Sequence, residues 1–171
     1  LLLENQLLGV IGKEIPGILA FGEEERNSSR GAKARRRRRG EANVVLQKLS
    51  HLINKIDILE GDDSVGTILG LQFPPGTPGF TYYKEKFTKI DDEKRAKEAE
   101  VIEGGYLDLG FTLYRVRFEV IEKSEDCCIT KATIEYDLKE EAAVNASIIS
   151  IQSLVMIMET AADYLTVNDE D

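Results

Sequence analysis

The spacing of apolar residues changes along the chain from a period of two to a period of 3.6. Between residues 55 and 138, short stretches alternate apolar and polar side chains, which is typical of strands with one buried face. After residue 139, apolar residues recur every three or four positions, which predicts one long amphipathic helix. The predicted strands are 55–60, 67–73, 80–90, 95–104, 105–120 and 128–138, with a short helix at 44–53 and a long one at 139–167.

Short turns between successive strands predict an antiparallel meander, and a sheet followed by one long helix is an α+β arrangement. The apolar stripe of the helix must be buried on the inner face of the sheet. A strongly curved sheet around a long helix leaves a cavity between them. The stripe consists of Ile148, Ile151, Val155, Met158, Ala162 and Leu165.

Several polar side chains fall on the predicted inner face. In TYYKEKF, residues 81–87, alternation places Glu85 between Tyr83 and Phe87. The same phase turns Lys97 inward in the next strand. If Lys97 lies opposite Phe87, Glu85 is its diagonal neighbour, and the two charged side chains can pair. The strand after that contributes Tyr106 and Tyr114.

The inward charges have two interpretations. An unpaired buried charge costs several kcal/mol, so Glu85 and Lys97 have to be paired, neutralised or solvated. The first interpretation is a structural ion pair, or a glutamate at the sheet rim that reaches water. The second is an acid/base pair with a tyrosine hydroxyl in an apolar pocket, where burial tunes the pKa values. Ion pairs are commoner than active sites, and the pattern alone leaves both open.

Charge is distributed unevenly. The chain of 171 residues has a net charge of −9, which argues against a general nucleic-acid binder. Residues 1–40 nevertheless hold nine Lys/Arg against five Asp/Glu, and the remainder holds 13 against 26. We therefore predict a basic, disordered segment at 1–43 and a globular domain at 44–168. The run Arg35–Arg39 is either a solvated tail or a nuclear-localisation or anion-binding patch.

The N-terminal residues 1–21 do not have the pattern of a transmembrane helix or a signal peptide. Residues 1–21 are apolar but are interrupted by charges and a proline, so we expect neither a transmembrane helix nor a signal peptide. The chain has no methionine before Met156, and we expect a fragment, a processed chain or a mis-joined gene model.

The residue composition argues against a metal site and against a catalytic triad. His51 is the single histidine, so no metal-ligand cluster and no serine or cysteine triad is expected without it. Cys127 and Cys128 are adjacent and poorly placed for a disulfide with each other. Reduced thiols favour the cytoplasm, with nuclear import as the alternative that the arginine run allows.

The run GTILGLQFPPGTPGFTYYKEKFTKIDDEKRAKEAEVIEGGYLDLGFTLYRVRFEVIEK resembles plant norcoclaurine synthases. These belong to the birch-pollen-allergen and pathogenesis-related superfamily, which has the START-like helix-grip fold. The likeness extends from about residue 46 to 167, and YKEKF and VIEGGYLDLG carry the resemblance to this branch. It implies a curved antiparallel sheet that grips the C-terminal helix.

The resemblance also implies a reaction and its residues. Norcoclaurine synthases carry out a Pictet–Spengler condensation of dopamine with 4-hydroxyphenylacetaldehyde. By resemblance, Lys97 would protonate the departing hydroxyl, Glu85 would take the ring proton, and Tyr83 would orient the substrate. No cofactor or metal is implied. The positions that would line the cavity are Phe87, Tyr106, Tyr114, Val116 and Met158.

Three departures separate this chain from the family pattern. Val116 stands where active members carry an aspartate. The loop reads GDDSVGT at 61–67, where the family reads GDGGVGT. Residues 1–43 match nothing in the family, so we expect the usual first strand to be absent and one sheet edge to be open.

The departures keep a second function open. A non-catalytic defence protein of the pathogenesis-related type would bind a hydrophobic or phenolic small molecule, or a plant hormone, in the same cavity. A receptor-like variant of this function would add a protein phosphatase as partner. Neither function requires nucleic acid or a membrane.

Overall fold

The computed structural model describes residues 5–13, 47–124 and 127–168, which form an antiparallel sheet and a C-terminal helix. In sheet order the described strands are β1-β7-β6-β5-β4-β3-β2, so β2 to β7 form a meander. The predicted α+β class is confirmed. The elements are β1 (Asn5–Lys13), β2 (Lys55–Glu60), β3 (Ile68–Gln72), β4 (Tyr82–Asp91), β5 (Ala96–Gly104), β6 (Phe111–Ser124), β7 (Cys127–Leu138) and α1 (Gln152–Asn168).

Two predicted elements begin later than expected. The strand predicted from residue 105 starts at Phe111, because Gly105 and Gly110 have positive φ angles and the chain between them forms a turn with a short 3₁₀ helix, Leu107–Leu109. The helix predicted from residue 139 starts at Gln152. Glu140–Ile148 forms a 3₁₀ helix instead, which ends where the backbone becomes extended at Ile149.

The expectation of a missing first strand is wrong. β1 pairs with β7 over its whole length, from Asn5 opposite Tyr136 to Lys13 opposite Cys128. Strand pairing uses backbone N–H and C=O groups, which almost any sequence supplies, so a side-chain pattern unlike the family did not exclude it. Residues 14–46, which include the arginine run, lie outside the described residues, and disorder there stays a prediction.

The apolar core lies between the sheet and the segments that follow it. Its buried side chains come mainly from β3, β4, β6 and β7, and Ile148, Ile149, Ile151 and Leu154 pack against it. By length and composition alone, residues 140–163 could cross a membrane, a test that core helices of soluble proteins also pass. The buried side chains are Leu69, Leu71, Tyr83, Phe87, Val101, Phe111, Tyr114, Ile134 and Tyr136.

An ion-pair network on the opposite face of the sheet fixes the phase of β5. The Glu98 carboxylate accepts hydrogen bonds from Thr88 Oγ1 at 2.8 Å and from the Arg117 guanidinium. Arg115 bridges Glu100, at 2.7 Å, and Glu135, at 3.0 Å. Because successive residues of a strand alternate between faces, Lys97 and Ala99 belong to the inner face.

Candidate functional site

Tyr83, Glu85 and Phe87 share the inner face of β4, as predicted. Tyr83 and Phe87 are buried, and Glu85 is partly buried between them. The cross-strand neighbours of Glu85 are Leu69 on β3 and Val101 on β5, both buried. The carboxyl group is thus surrounded by apolar side chains in its own row of the sheet.

Lys97 does not lie where a regular pairing would place it. We expected Lys97 opposite Phe87, but the turn pairs Asp91 with Ala96, which places Lys97 opposite Ile90, and a bulge between Phe87 and Lys89 adds one residue to β4. Ala99 takes the place opposite Phe87. The Lys97 ammonium lies 3.7 Å from the centre of the Phe87 ring, and the side chain is exposed to solvent. In the described part of the chain, Lys97 and Glu85 do not come within ion-pair distance, so the expected direct pair is wrong.

The surroundings shift both charged groups toward neutrality. Burial raises the pKa of Glu85 to about 7, against the attraction of Lys97, which lowers it. Burial lowers the pKa of Lys97, opposed by Asp63, then by Glu85 and Asp92. A carboxyl group with a pKa near 7 can both take and release a proton at neutral pH. The lysine is a cation stabilised by the Phe87 ring beneath it.

Three tyrosines gather beside Glu85. The rings of Tyr106 and Tyr114 stack at 3.6 Å with an interplanar angle of 7°, and Tyr83 lies 6.2 Å from Tyr106 between ring centres. Burial is the first cause that raises the pKa of Tyr83 and of Tyr114 well above 10, and it also raises that of Tyr106. The three phenols therefore remain neutral and can donate hydrogen bonds.

A glycine brings the Tyr106 turn close to Tyr83. Gly105 has φ +55°, and a Cβ atom built there would lie 2.7 Å from the Cβ of Tyr83. Tyr106 precedes the 3₁₀ helix and its carbonyl accepts the Leu109 and Phe111 N–H groups at 3.0 and 3.2 Å. Tyr106 thus reaches the inner face through a turn, although the sequence predicted a strand there.

Val116 makes the next part of the inner face apolar. Its cross-strand partners are Ala99 on β5 and Ile134 on β7. Ile134 is fully buried, so this position offers no polar partner in its row. Met158 is buried on α1, while Leu154, one turn earlier, packs against the core that contains the tyrosines. Among the predicted cavity residues, Met158 is therefore the one not found in that core.

The sequence pattern missed several aromatic residues of the site. Phe80 lies 4.6 Å from Tyr106 and 5.7 Å from Tyr83 between ring centres; the predicted strand 80–90 put it on the face opposite to Tyr83, but it lies in the loop before β4. Phe111 lies 5.3 Å from Tyr106, but a register shift between Phe111 and Leu113 hides its phase. The described residues contain no group of three or more His, Cys, Asp or Glu side chains that could hold a metal ion.

The sequence and the fold define the class to which the protein belongs. Residues 32–166 match the model of the pathogenesis-related protein Bet v 1 family, and the chain belongs to this family; the match begins inside the segment 1–43, which we expected to match nothing. It is 42% identical over 124 residues to norbelladine synthase from Narcissus pseudonarcissus, covering 72% of this chain and 76% of that protein. It is also 42% identical over 118 residues to S-norcoclaurine synthase 2 from Papaver somniferum, covering 68% of this chain and 51% of the relative. The chain thus spans about half the length of the poppy enzyme.

Solved structures confirm the helix-grip fold. Norcoclaurine synthase from Thalictrum flavum, solved in complex with dopamine and hydroxybenzaldehyde, superimposes with a TM-score of 0.75 at 26% identity, over 99% of this chain and 90% of that one. A major latex-like protein from Panax ginseng, at 19% identity, shares the fold with a TM-score of 0.64, over 97% of each chain.

Proposed function

We propose that the protein is a norcoclaurine-synthase-type lyase, which forms a carbon–carbon bond between dopamine and 4-hydroxyphenylacetaldehyde or a related aldehyde. The observation that carries the proposal is the partly buried Glu85 carboxyl, whose pKa is about 7, two residues from the Phe87 ring on which Lys97 rests. The relatives named above support the substrate class. The adjacent cysteines favour the cytoplasm as the place of action.

The residues divide the proton transfers between them. After the amine adds to the aldehyde, the Lys97 ammonium gives a proton to the carbinolamine hydroxyl, which leaves as water. The aromatic ring of dopamine then attacks the resulting iminium carbon. Glu85 takes the proton from the attacked ring carbon, which restores aromaticity. Glu85 then releases this proton to solvent, and solvent returns a proton to Lys97. The neutral Tyr83 hydroxyl orients the phenolic substrate by hydrogen bonding.

The test compares the condensation rates of matched lysine variants. Lys97→Ala should lower the rate by about 10²–10⁴-fold, the usual contribution of a positioned acid. Lys89→Ala is the control, because Lys89 lies on the same hairpin but is exposed and 3.9 Å from Asp91. Its rate should stay within about twofold of the parent. Equal rates for the parent and Lys97→Ala, both above background, would refute the assignment of Lys97 as the acid.

The apolar setting of Val116 favours a second function. Ala99 and Ile134 flank this position, so the inner face there suits a hydrophobic ligand better than a cationic amine. Under this alternative the protein binds a hydrophobic small molecule or plant hormone in defence, without catalysis. Saturable binding of an apolar fluorescent probe, together with a racemic condensation product, would favour it.

A further inference from the structure

The loop between β2 and β3 is fastened to the strand that carries Glu85. The N–H of Gly66 donates to the carbonyl of Phe87 at 2.8 Å, and the N–H of Phe87 donates to the carbonyl of Thr67 at 2.9 Å. The loop also closes on itself, since the N–H of Thr67 donates to the carbonyl of Ser64 at 3.1 Å. These bonds hold the C-terminal end of the loop, Gly66 and Thr67, beside Phe87.

Lys97, on the neighbouring strand β5, also contacts Phe87. Its ammonium lies 3.7 Å from the centre of the Phe87 ring. Phe87 therefore joins the loop, through its backbone, to the lysine, through its ring. The loop and the Lys97 ammonium thus meet at one residue, which brings a charge in the loop into range of the lysine.

Asp63 is the charged loop residue in question. Its backbone has φ +73°, a left-handed conformation that suits glycine, and that asparagine and aspartate tolerate better than most residues. Its side chain is exposed. Three carboxylates raise the pKa of Lys97 against the effect of burial, namely Asp63 from this loop, Glu85 from β4 and Asp92 from the β4–β5 turn. Asp63 has the largest effect of the three and is followed by Glu85.

We propose that Asp63 is a positioning residue for Lys97, whose carboxylate, in the loop bonded to Phe87, keeps the ammonium over that ring charged. Burial alone favours the neutral amine, which cannot donate the proton that water loss requires. A carboxylate on the solvent side opposes that loss of charge without occupying the substrate's place. The charge of the lysine is thus maintained from the loop, outside the row of the sheet that contains Glu85.

The experiment measures the pKa of Lys97 directly. The side-chain Cε and Nζ signals of Lys97, assigned by their absence in Lys97→Arg, are followed by NMR through a pH titration of the parent, Asp63→Asn and Asp92→Asn. Asparagine keeps the tolerance for a left-handed backbone and removes only the charge. Asp92→Asn removes a carboxylate of weaker effect and serves as the matched control.

We expect the pKa of Lys97 to fall in Asp63→Asn, and to fall further than in Asp92→Asn. High salt should narrow the difference between the parent and Asp63→Asn, because an exposed charge is screened. An unchanged pKa in Asp63→Asn, or an equal or larger fall in Asp92→Asn, would overturn the proposal. The backbone amide spectrum of each variant verifies that the fold is retained.

A second measurement rests on the proposed function. If Lys97 is the acid, the alkaline limb of the pH–rate profile should move to lower pH in Asp63→Asn, while the acidic limb stays in place. The two failures are distinguishable. A shifted NMR pKa in a protein without condensation activity would refute the lyase and leave the role of Asp63 intact. If the parent is active but the pKa of Lys97 is the same in the parent and in Asp63→Asn, only the inference about Asp63 is refuted.

Discussion

The Phe87 ring lies between Lys97 and Glu85 in the register of the sheet. Glu85 is in the row of Val101, Phe87 is in the row of Ala99, and Lys97 lies one row beyond. The ring carries the ammonium at 3.7 Å. Two charged groups separated by a ring cannot neutralise each other by direct contact, so under the proposed function each stays available to the substrate.

The stability of Glu85→Gln should differ from that of the parent in a pH-dependent way. The pKa of Glu85 is raised by burial from 4.5 to about 7, so its protonated form stabilises the fold at low pH. That stabilisation is complete below about 4.5 and is lost as pH rises through about 7. Above that pH, the free energy of unfolding measured in urea should rise for Glu85→Gln relative to the parent by on the order of 2–3 kcal/mol. A constant difference across the range would contradict the raised pKa.

Glu98, which is next to Lys97 in β5 but on the other face of the sheet, should show the opposite pH dependence of stability. Burial raises the pKa of Glu98, but hydrogen bonds from Arg117 and Thr88 outweigh it, and the pKa is lowered overall. Its stabilisation is therefore present above the usual glutamate pKa and lost as pH falls through the lowered value. Glu98→Gln should lower the free energy of unfolding by about 1–3 kcal/mol at neutral pH. The loss should shrink in acid, and a loss that grows there would refute the network.

Gly105→Ala should displace Tyr83 and destabilise the domain. The new methyl group would lie 2.7 Å from the Cβ of Tyr83, in addition to the strain of a positive φ. Gly66→Ala is the matched control, because φ is also positive there and nothing lies within 4 Å. We expect overpacking to cost Gly105→Ala about 1–3 kcal/mol beyond the backbone strain. Equal losses in urea unfolding would mean that the Tyr106 turn moves away freely.

Val116→Asp should raise the condensation rate and lower stability. An aspartate between Ala99 and Ile134 supplies a carboxylate for a cationic amine at a position that is now apolar. Burial of a carboxylate without a partner costs several kcal/mol, so the melting temperature should fall. Val116→Asn is the control of similar size without charge, and it should be destabilised without a gain in rate. A gain in both variants would assign the effect to polarity rather than charge.

Local alternation was enough to place Tyr83, Glu85 and Phe87, because β4 keeps its own alternation over these residues although its pairing with β5 shifts between Lys84 and Glu85. It failed for the cross-strand partner of Lys97, because the pairing of Asp91 with Ala96 at the turn and the bulge after Phe87 are not predicted by a period-two pattern. It also missed Phe80, which a loop places, and the strand Asn5–Lys13, which backbone pairing with β7 places. The effect of Asp63 on Lys97 depends on how the loop packs against Phe87. The position of Asp63 in the sequence does not predict that packing.

The most direct test of the lyase assignment is the enantiomeric composition of the product. Dopamine and 4-hydroxyphenylacetaldehyde are incubated at neutral pH with the parent or with Glu85→Gln, and the product is resolved by chiral chromatography. The uncatalysed reaction gives a racemate, so any excess of one enantiomer reports the site. We predict an excess from the parent and a racemate from Glu85→Gln, which lacks the base. A racemic product from the parent would contradict catalysis in the cavity and leave ligand binding as its function.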